Sequence, residues 1–204
     1  MKTLAALVFP GFQTLDLYGP IEMLGDHDEG SVDIKIVAET LEPVPSYHGN
    51  KTVVDRTLAD STDYDLVLIP GGDSAPVNPV NRAVNDWIIE TSKNAEYVMA
   101  VCTGTILLAT TGLLDGRRAT TNKKDYTATI PFGPNVEWVP QARWVEDGKF
   151  FTSSGVSAGM DMSLAVMQKL FGELAASEIA RGAEYEWHKD PSWDPFSKLA
   201  GLVS

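Results

Sequence analysis

Short apolar runs alternate with stretches of helical periodicity along the 204 residues, and that alternation predicts an α/β fold with a parallel sheet. Leu4–Phe9 is a continuous apolar run stopped by Pro10-Gly11 and reads as a buried strand. From Asp16, the apolar residues of DLYGPIEMLGD fall at helical spacing and the pattern closes near Gly25. Val32–Ala38 alternates as a strand with one wetter face. Glu39–Ala59 carries Pro43, Pro45 and Gly49 and reads as a loop with an extended excursion at Thr52–Val54. Leu66–Ile69 is a second buried strand, ended by Pro70-Gly71-Gly72. Ala83–Ser92 is an amphipathic helix, and Tyr97–Val101 is the next strand.

Cys102-Thr103-Gly104 follows that strand and leads into a helical run, Thr105–Thr111, closed by Gly112. Arg117–Asn122 reads as a short strand and Lys124–Ile130 as a short helix. Val136–Trp138, Ala142–Val145 and Phe150–Ser153 read as a small antiparallel section with Asp147-Gly148 as its turn. Ala158–Phe171 and Leu174–Tyr185 carry the strongest helical patterns, separated by Gly172. The tail after Glu186, residues 186–204, is rich in Pro and Trp and is expected to pack on the body or on a partner subunit. With no repeat and no linker-like tract, residues 1–204 read as one domain.

Composition narrows the function classes. Sixteen basic against 28 acidic residues give a net charge of −12, which argues against nucleic acid, because that binding needs a basic face. Met-Lys-Thr opens on a strand-like run without a small-residue cleavage site, and no apolar run is long enough to cross a bilayer. The expected compartment is the cytoplasm, and the expected partners are small molecules or other protein chains. The single cysteine rules out an internal disulfide framework and any multi-cysteine zinc site.

An open parallel sheet binds ligands outside the carboxyl ends of its strands. Three strand ends carry chemistry: the loop beyond Phe9 leads to Asp16, Ile69 leads to Gly71-Gly72, and Val101 leads directly to Cys102. An acid, an amide-rich turn and a thiol should therefore meet at one edge. A strand turning sharply into a helix projects the residue at the turn outward, as in a nucleophile elbow. Beside the free amides of the helix start, the Cys102 thiol is expected to have a lowered pKa. Backbone N–H groups at Gly104, Gly71 and Gly72 are expected to hold negative charge developing on a substrate. Ser154 and Gly155, where the Phe150–Ser153 strand gives way to a helix, add hydroxyl and amide donors.

Each feature also has a plainer reading. A lone cysteine after an apolar strand can be a small buried hydrophobe, Asp16 a helix N-cap, Gly71-Gly72 a turn, and Ser153-Ser154-Gly155 a capped helix start. Arg117-Arg118 reads as a solvated charge pair, and Trp138 and Trp144 as core or subunit contacts. Of the three histidines, His27 lies in an acidic stretch and reads as solvated, His48 sits in the loop and His188 in the tail. None follows the sulfur or falls at another strand end, so a Cys–His pair is poorly supported. No close His/Asp/Glu set suggests a metal, and no phosphate-binding glycine loop is present.

Four ordered motifs, LVFPGFQTLDLYGPIEML, DLVLIPGG, VCTGTILLATTGLLDGRRATT and TSSGVSAGMDMSL, resemble the ThiJ/PfpI superfamily (class I glutamine amidotransferase-like) and, within it, the isocyanide hydratase-like branch. The resemblance implies a flavodoxin-like doubly wound α/β sandwich with a mostly parallel central sheet, a cysteine at a nucleophile elbow, and a homodimer without a cofactor or metal. It makes Cys102 the nucleophile, Asp16 the acid beside it, Thr103 a contact of that acid and Gly72 an amide donor. In that branch the thiolate attacks the terminal isocyanide carbon, the acid protonates it, and water releases an N-substituted formamide. The chain departs from the branch at Asn122-Lys123, where a His follows the Ala-Thr-Thr run, which bears on the substrate. Two alternatives stay open: a glyoxalase- or deglycase-like activity on α-dicarbonyls, whose performers carry Glu in place of Asp16, and a cysteine redox sensor.

Overall fold

In the computed structural model the described residues are 1–25, 32–73 and 81–204. His27, read above as solvated, lies outside them. The core of the fold is a seven-stranded sheet formed by β1 (Lys2–Leu7), β2 (Val32–Ala38), β5 (Arg56–Thr57), β6 (Leu66–Ile69), β7 (Tyr97–Val101), β10 (Trp144–Asp147) and β11 (Phe150–Ser153). Their order is β10-β11-β7-β6-β1-β2-β5, and every pairing is parallel except β10 with β11. This is the expected α/β architecture with a mostly parallel sheet.

The central strands are buried on both faces, as their unbroken apolar runs require. Successive side chains then serve opposite layers. Leu4 and Ala6 of β1 belong to the core beneath α1 (Thr14–Gly25), α5 (Ala158–Phe171) and α6 (Glu173–Gly182). Ala5 and Leu7 belong to the core beneath α2 (Arg82–Asn94) and α3 (Gly104–Thr110). No described helix is long and apolar enough to cross a membrane.

Several boundaries differ from expectation for physical reasons. β1 starts at Lys2 and ends at Leu7, with the Val8 N–H making a last bond to β2 at the Val37 carbonyl ahead of Pro10-Gly11. The excursion in the 39–59 loop is a hairpin of β3 (Val44–Pro45) and β4 (Lys51–Thr52), and β5 beyond it extends the main sheet. Arg117–Asn122 yields only β8 (Arg118–Ala119), which pairs in parallel with β9 (Glu137–Trp138) apart from the main sheet. The expected small antiparallel section is therefore divided. Its Phe150–Ser153 strand, buried at all four positions, joins β7 in parallel, and only the β10–β11 hairpin through Gly148 (φ 60°) is antiparallel. The helix expected at Lys124–Ile130 shrinks to α4 (Tyr126–Thr129), because Pro131 moves the following turn into 3-10 geometry.

The tail packs on the body. Asp161 of α5 is fully buried and collects the Arg143 guanidinium at 2.7 Å, the Tyr185 hydroxyl at 3.0 Å and the His188 amide at 3.0 Å. His188 stacks on Trp193 at 4.1 Å between ring centroids. Beyond these anchors the chain ends in α7 (Pro195–Leu199).

Candidate active site

β7 hands over to α3 through Cys102, whose backbone takes the left-handed conformation at φ 58°. A non-glycine residue there is strained, and the turn holds because the chain on both sides is fixed. Cys102 N–H donates to the Ser153 carbonyl of β11, and its carbonyl accepts from the Thr121 and Thr105 hydroxyls at 2.8 and 3.1 Å. Gly104 then lies so close to the end of β6 that a Cβ would stand 2.5 Å from the Ile69 carbonyl oxygen. The turn is compact because position 104 carries no side chain.

Asp16 lies in the first turn of α1, inside the helix rather than at its cap, and is fully buried. Its Oδ2 accepts the Gly71 N–H at 2.9 Å. Oδ1 finds no nitrogen or oxygen donor, and the Cys102 thiol is the other group that interacts with the carboxyl. Thr103 Oγ1 accepts the Gly72 N–H at 3.0 Å and donates to the Gly72 carbonyl at 3.3 Å. Gly71 stands where these groups crowd together: a Cβ would lie 2.6 Å from Thr103 Oγ1 and 2.9 Å from Asp16 Oδ2. The three expected strand ends thus do meet. The amides of Gly71 and Gly72, expected to face a substrate, are instead engaged by Asp16 and Thr103, and Thr103 bonds to Gly72 rather than to the acid.

The sulfur is met from other directions. Asn122 Nδ2 donates to Cys102 Sγ at 3.0 Å. The orientation of that amide is set at its other end, where Asn122 Oδ1 accepts the Lys124 N–H at 2.8 Å. The backbone N–H groups of Thr103 and Val156 also face the sulfur. Val156 holds its amide there in a left-handed conformation, φ 47°, unusual for a β-branched residue. Gly155 backs onto the Asn122 amide. Ser154 is buried with its N–H on the Arg143 carbonyl at 2.9 Å, so it shapes the loop and makes no bond to the sulfur. Asn122, Ser154, Gly155 and Val156 line a cleft of about 470 Å³ together with Lys123, Lys124 and, from α7, Phe196 and Leu199. The sulfur meets this cleft through its neighbours Asn122 and Val156, not as a lining atom itself.

Burial dominates the electrostatics of this pair. Cys102 is 5% exposed, and removal from water pushes its thiol up to about 12, with the Asp16 charge as second cause. Asn122 and the amides of Thr103 and Val156 oppose that rise without cancelling it. The expected lowered thiol pKa is therefore overturned, because desolvation outweighs the helix start. Burial also raises Asp16 to about 7, against the Gly71 amide and the Cys102 thiol. The Asp16 charge opposes ionisation of the thiol, while the thiol hydrogen bond favours the carboxylate, so the two acids titrate as a pair. At neutral pH, thiol and carboxyl together hold one to two protons.

The remaining candidates fall elsewhere. His48 bonds to the Thr14 hydroxyl at 3.0 Å, and His188 lies against Trp193. Arg117 pairs with Asp147 at 3.1 Å. Among the described residues no group of three or more His, Cys, Asp or Glu is placed to hold a metal ion. Sequence reasoning noticed Asn122 only as a departure from a pattern and missed Val156 entirely.

A mostly parallel α/β sheet with a buried cysteine and carboxylate meeting at its strand ends defines a recognisable class. The sequence profile of the DJ-1/PfpI family matches residues 2–169, and the chain belongs to that family. Isonitrile hydratase of Pseudomonas putida is 35% identical over 182 residues, spanning 88% of this chain and 76% of its own. A crystal structure of a ThiJ/PfpI family protein from Pseudomonas syringae superposes with a TM-score of 0.83 at 30% identity, over 95% of this chain and 78% of the other. A DJ-1 superfamily protein from Salmonella typhimurium gives 0.80 at 26% identity, over 92% and 100%.

Proposed function

We propose that the protein is a cysteine enzyme that hydrates an isocyanide to an N-substituted formamide without a cofactor, with Cys102 as nucleophile and Asp16 as general acid and base. The observation that carries this reading is the pairing of one buried thiol with one buried carboxyl that holds a proton near neutrality, in a chain similar to an isonitrile hydratase. Asp16 takes the thiol proton, and the sulfur, held by Asn122 and the Thr103 and Val156 amides, forms a bond to the terminal isocyanide carbon. Asp16 returns its proton to that carbon, giving a thioimidate. Asp16, again a carboxylate, then accepts a proton from water as the water oxygen adds to the same carbon. Asp16 passes that proton to the nitrogen, the carbon–sulfur bond breaks as the hydroxyl proton moves to the leaving sulfur, and the formamide leaves. One water is consumed and the enzyme is restored. This relay needs a proton donor of pKa near the working pH, which an exposed aspartate would not supply.

The cleft favours this substrate over hydrated α-dicarbonyls, because Val156, Phe196 and Leu199 give it a largely apolar wall. Burial of the thiol likewise speaks against a redox sensor, which needs an accessible thiolate. The test is incubation with an alkyl or aryl isocyanide while formamide is followed by chromatography. Absence of turnover by the wild type would remove the substrate, and full activity in Cys102→Ala would remove the mechanism.

A further inference from the structure

The tail does more than cover the body. Asp194 caps α7 by accepting the Phe196 N–H on Oδ1 at 3.0 Å. Its Oδ2 faces Lys123 Nζ at 3.3 Å in an ion pair with side-chain exposures of 3% and 0%. The same ammonium donates to Thr120 Oγ1 at 2.5 Å and to the Thr121 carbonyl at 3.2 Å. Further bonds fix the segment: the Ser197 hydroxyl donates to the Pro140 carbonyl at 2.7 Å, and the Arg143 N–H to the Pro191 carbonyl at 2.6 Å. A segment tied at so many points nevertheless leaves Trp193, Phe196 and Leu199 exposed, the last two at 49% and 80%. Phe196 and Leu199 both line the cleft that Asn122 and Val156 also line. Apolar surface held rigidly beside a polar site is a common mark of a ligand groove.

Lys123 joins α7 to the Asn122 loop. It follows Asn122 in the chain, so the residue that orients α7 through Asp194 is adjacent to the residue that donates to the sulfur. We propose that α7 is the specificity wall of the Cys102 site: Phe196 and Leu199 receive a compact apolar substituent of the electrophile, and the Lys123–Asp194 pair positions that wall against the Asn122 loop. The proposal rests on the reading above only for the identity of the electrophile. The wall itself selects any carbon electrophile that carries a ring or branched alkyl group within a few bonds of its reacting carbon.

The test therefore uses two chemistries on the full chain. Cys102 is alkylated with 2-bromoacetamide and with N-benzyl-2-bromoacetamide, sulfur displacing bromide in both, and the adduct is counted by intact mass. The readout is the ratio of the two rates, which a general loss of stability would not move. The wild type is expected to prefer the benzyl reagent, and Phe196→Ala and Leu199→Ala to lower that preference about five- to tenfold each, the scale of lost apolar contact in a pocket. Asp194→Asn keeps an oxygen to cap Phe196 but removes the charge facing Lys123, and should lower the ratio as well. In parallel, formamide formation is compared for cyclohexyl and methyl isocyanide. A reduced alkylation ratio in the variants without any isocyanide turnover would support the wall and retire the isocyanide reading. Isocyanide turnover with unchanged ratios in all three variants would do the reverse. A change of sedimentation mass in Phe196→Ala with an unchanged ratio would assign the two side chains to a contact between copies and overturn the proposal.

Discussion

Replacing Asp16 by Asn should make Cys102 more reactive while sharply lowering turnover. The amide is isosteric and can keep the Gly71 bond through its oxygen, leaving its NH₂ where the carboxylate carried charge. That charge is the second cause of the raised thiol pKa after burial. A unit charge at contact is worth about 4 kcal/mol at an effective dielectric of about 20. Because the pair shares its charge, roughly a third to two-thirds of that reaches the thiol, which lowers its pKa by about one to two. The thiolate fraction at pH 8 then rises about ten- to a hundredfold, and lower intrinsic nucleophilicity reduces the gain in alkylation rate to about three- to tenfold. Loss of the proton relay should meanwhile lower kcat by about 10² to 10⁴. Iodoacetamide alkylation against pH, read by mass on a chain with one cysteine, measures the first effect, and formamide formation the second. An Asp16→Asn thiol that reacts no faster would refute the electrostatic coupling, and a variant that keeps more than about a tenth of the wild-type kcat would refute the acid role.

The same substitution exposes a stability effect. Asp16 rises from its ordinary 3.8 to about 7 on folding, so between those values the native state keeps a proton that the unfolded chain has released. Stability from this group is complete below about pH 4 and is lost as pH rises through 7. At about 1.4 kcal/mol for each tenfold step in proton affinity, the loss approaches about 4 kcal/mol. Subtracting the Asp16→Asn unfolding free energy from that of the wild type at each pH cancels the other groups. The difference should fall between pH 4 and 7 and then level off, and a flat difference would contradict the raised carboxyl.

Three further outcomes are expected. Asn122→Ala removes a donor from the sulfur and should lower kcat/KM about ten- to a hundredfold, the usual worth of a hydrogen bond to a charged group, with circular dichroism unchanged. Gly71→Ala forces a Cβ to within 3 Å of Thr103 and Asp16 and should cost about 1–3 kcal/mol of stability together with most of the activity, measured by chemical denaturation and formamide assay. Cys102 should remain a thiol under mild peroxide, and mass spectrometry showing rapid sulfinic acid formation would contradict the protection that burial gives it.

The parts of the fold legible in the sequence were those whose environment is uniform along the segment. β6 and β7 are buried on both faces and read as unbroken apolar runs, and α5 carries its pattern over the full Ala158–Phe171 span. The Asp147-Gly148 turn correctly announced the β10–β11 hairpin. It could not announce that β11 would pair with β7, because that parallel pairing joins segments some fifty residues apart and leaves no local signal. The two-residue strands β8 and β9 are shorter than any period that could reveal them.

The site divides along the same line. Asp16, Gly71-Gly72 and Cys102 could be brought together in advance because a parallel sheet aligns its strand ends whatever the loops do. Asn122 and Val156 come from loops with no periodic signal, the first oriented by a local bond from the Lys124 N–H two residues on and the second held in a left-handed backbone conformation. Burial was the other unreadable quantity, and it reverses the expected chemistry. A helix start beside an exposed thiol would favour a standing thiolate, yet here desolvation raises both members of the pair. The Gly71 and Gly72 amides are then better placed where they are, fixing the carboxyl and the Thr103 hydroxyl, than facing a substrate oxygen. Under the proposed reading, a thiol that ionises only by handing its proton to a fixed neighbour would deliver nucleophile and proton to the same carbon together, which is what addition across a terminal carbon requires.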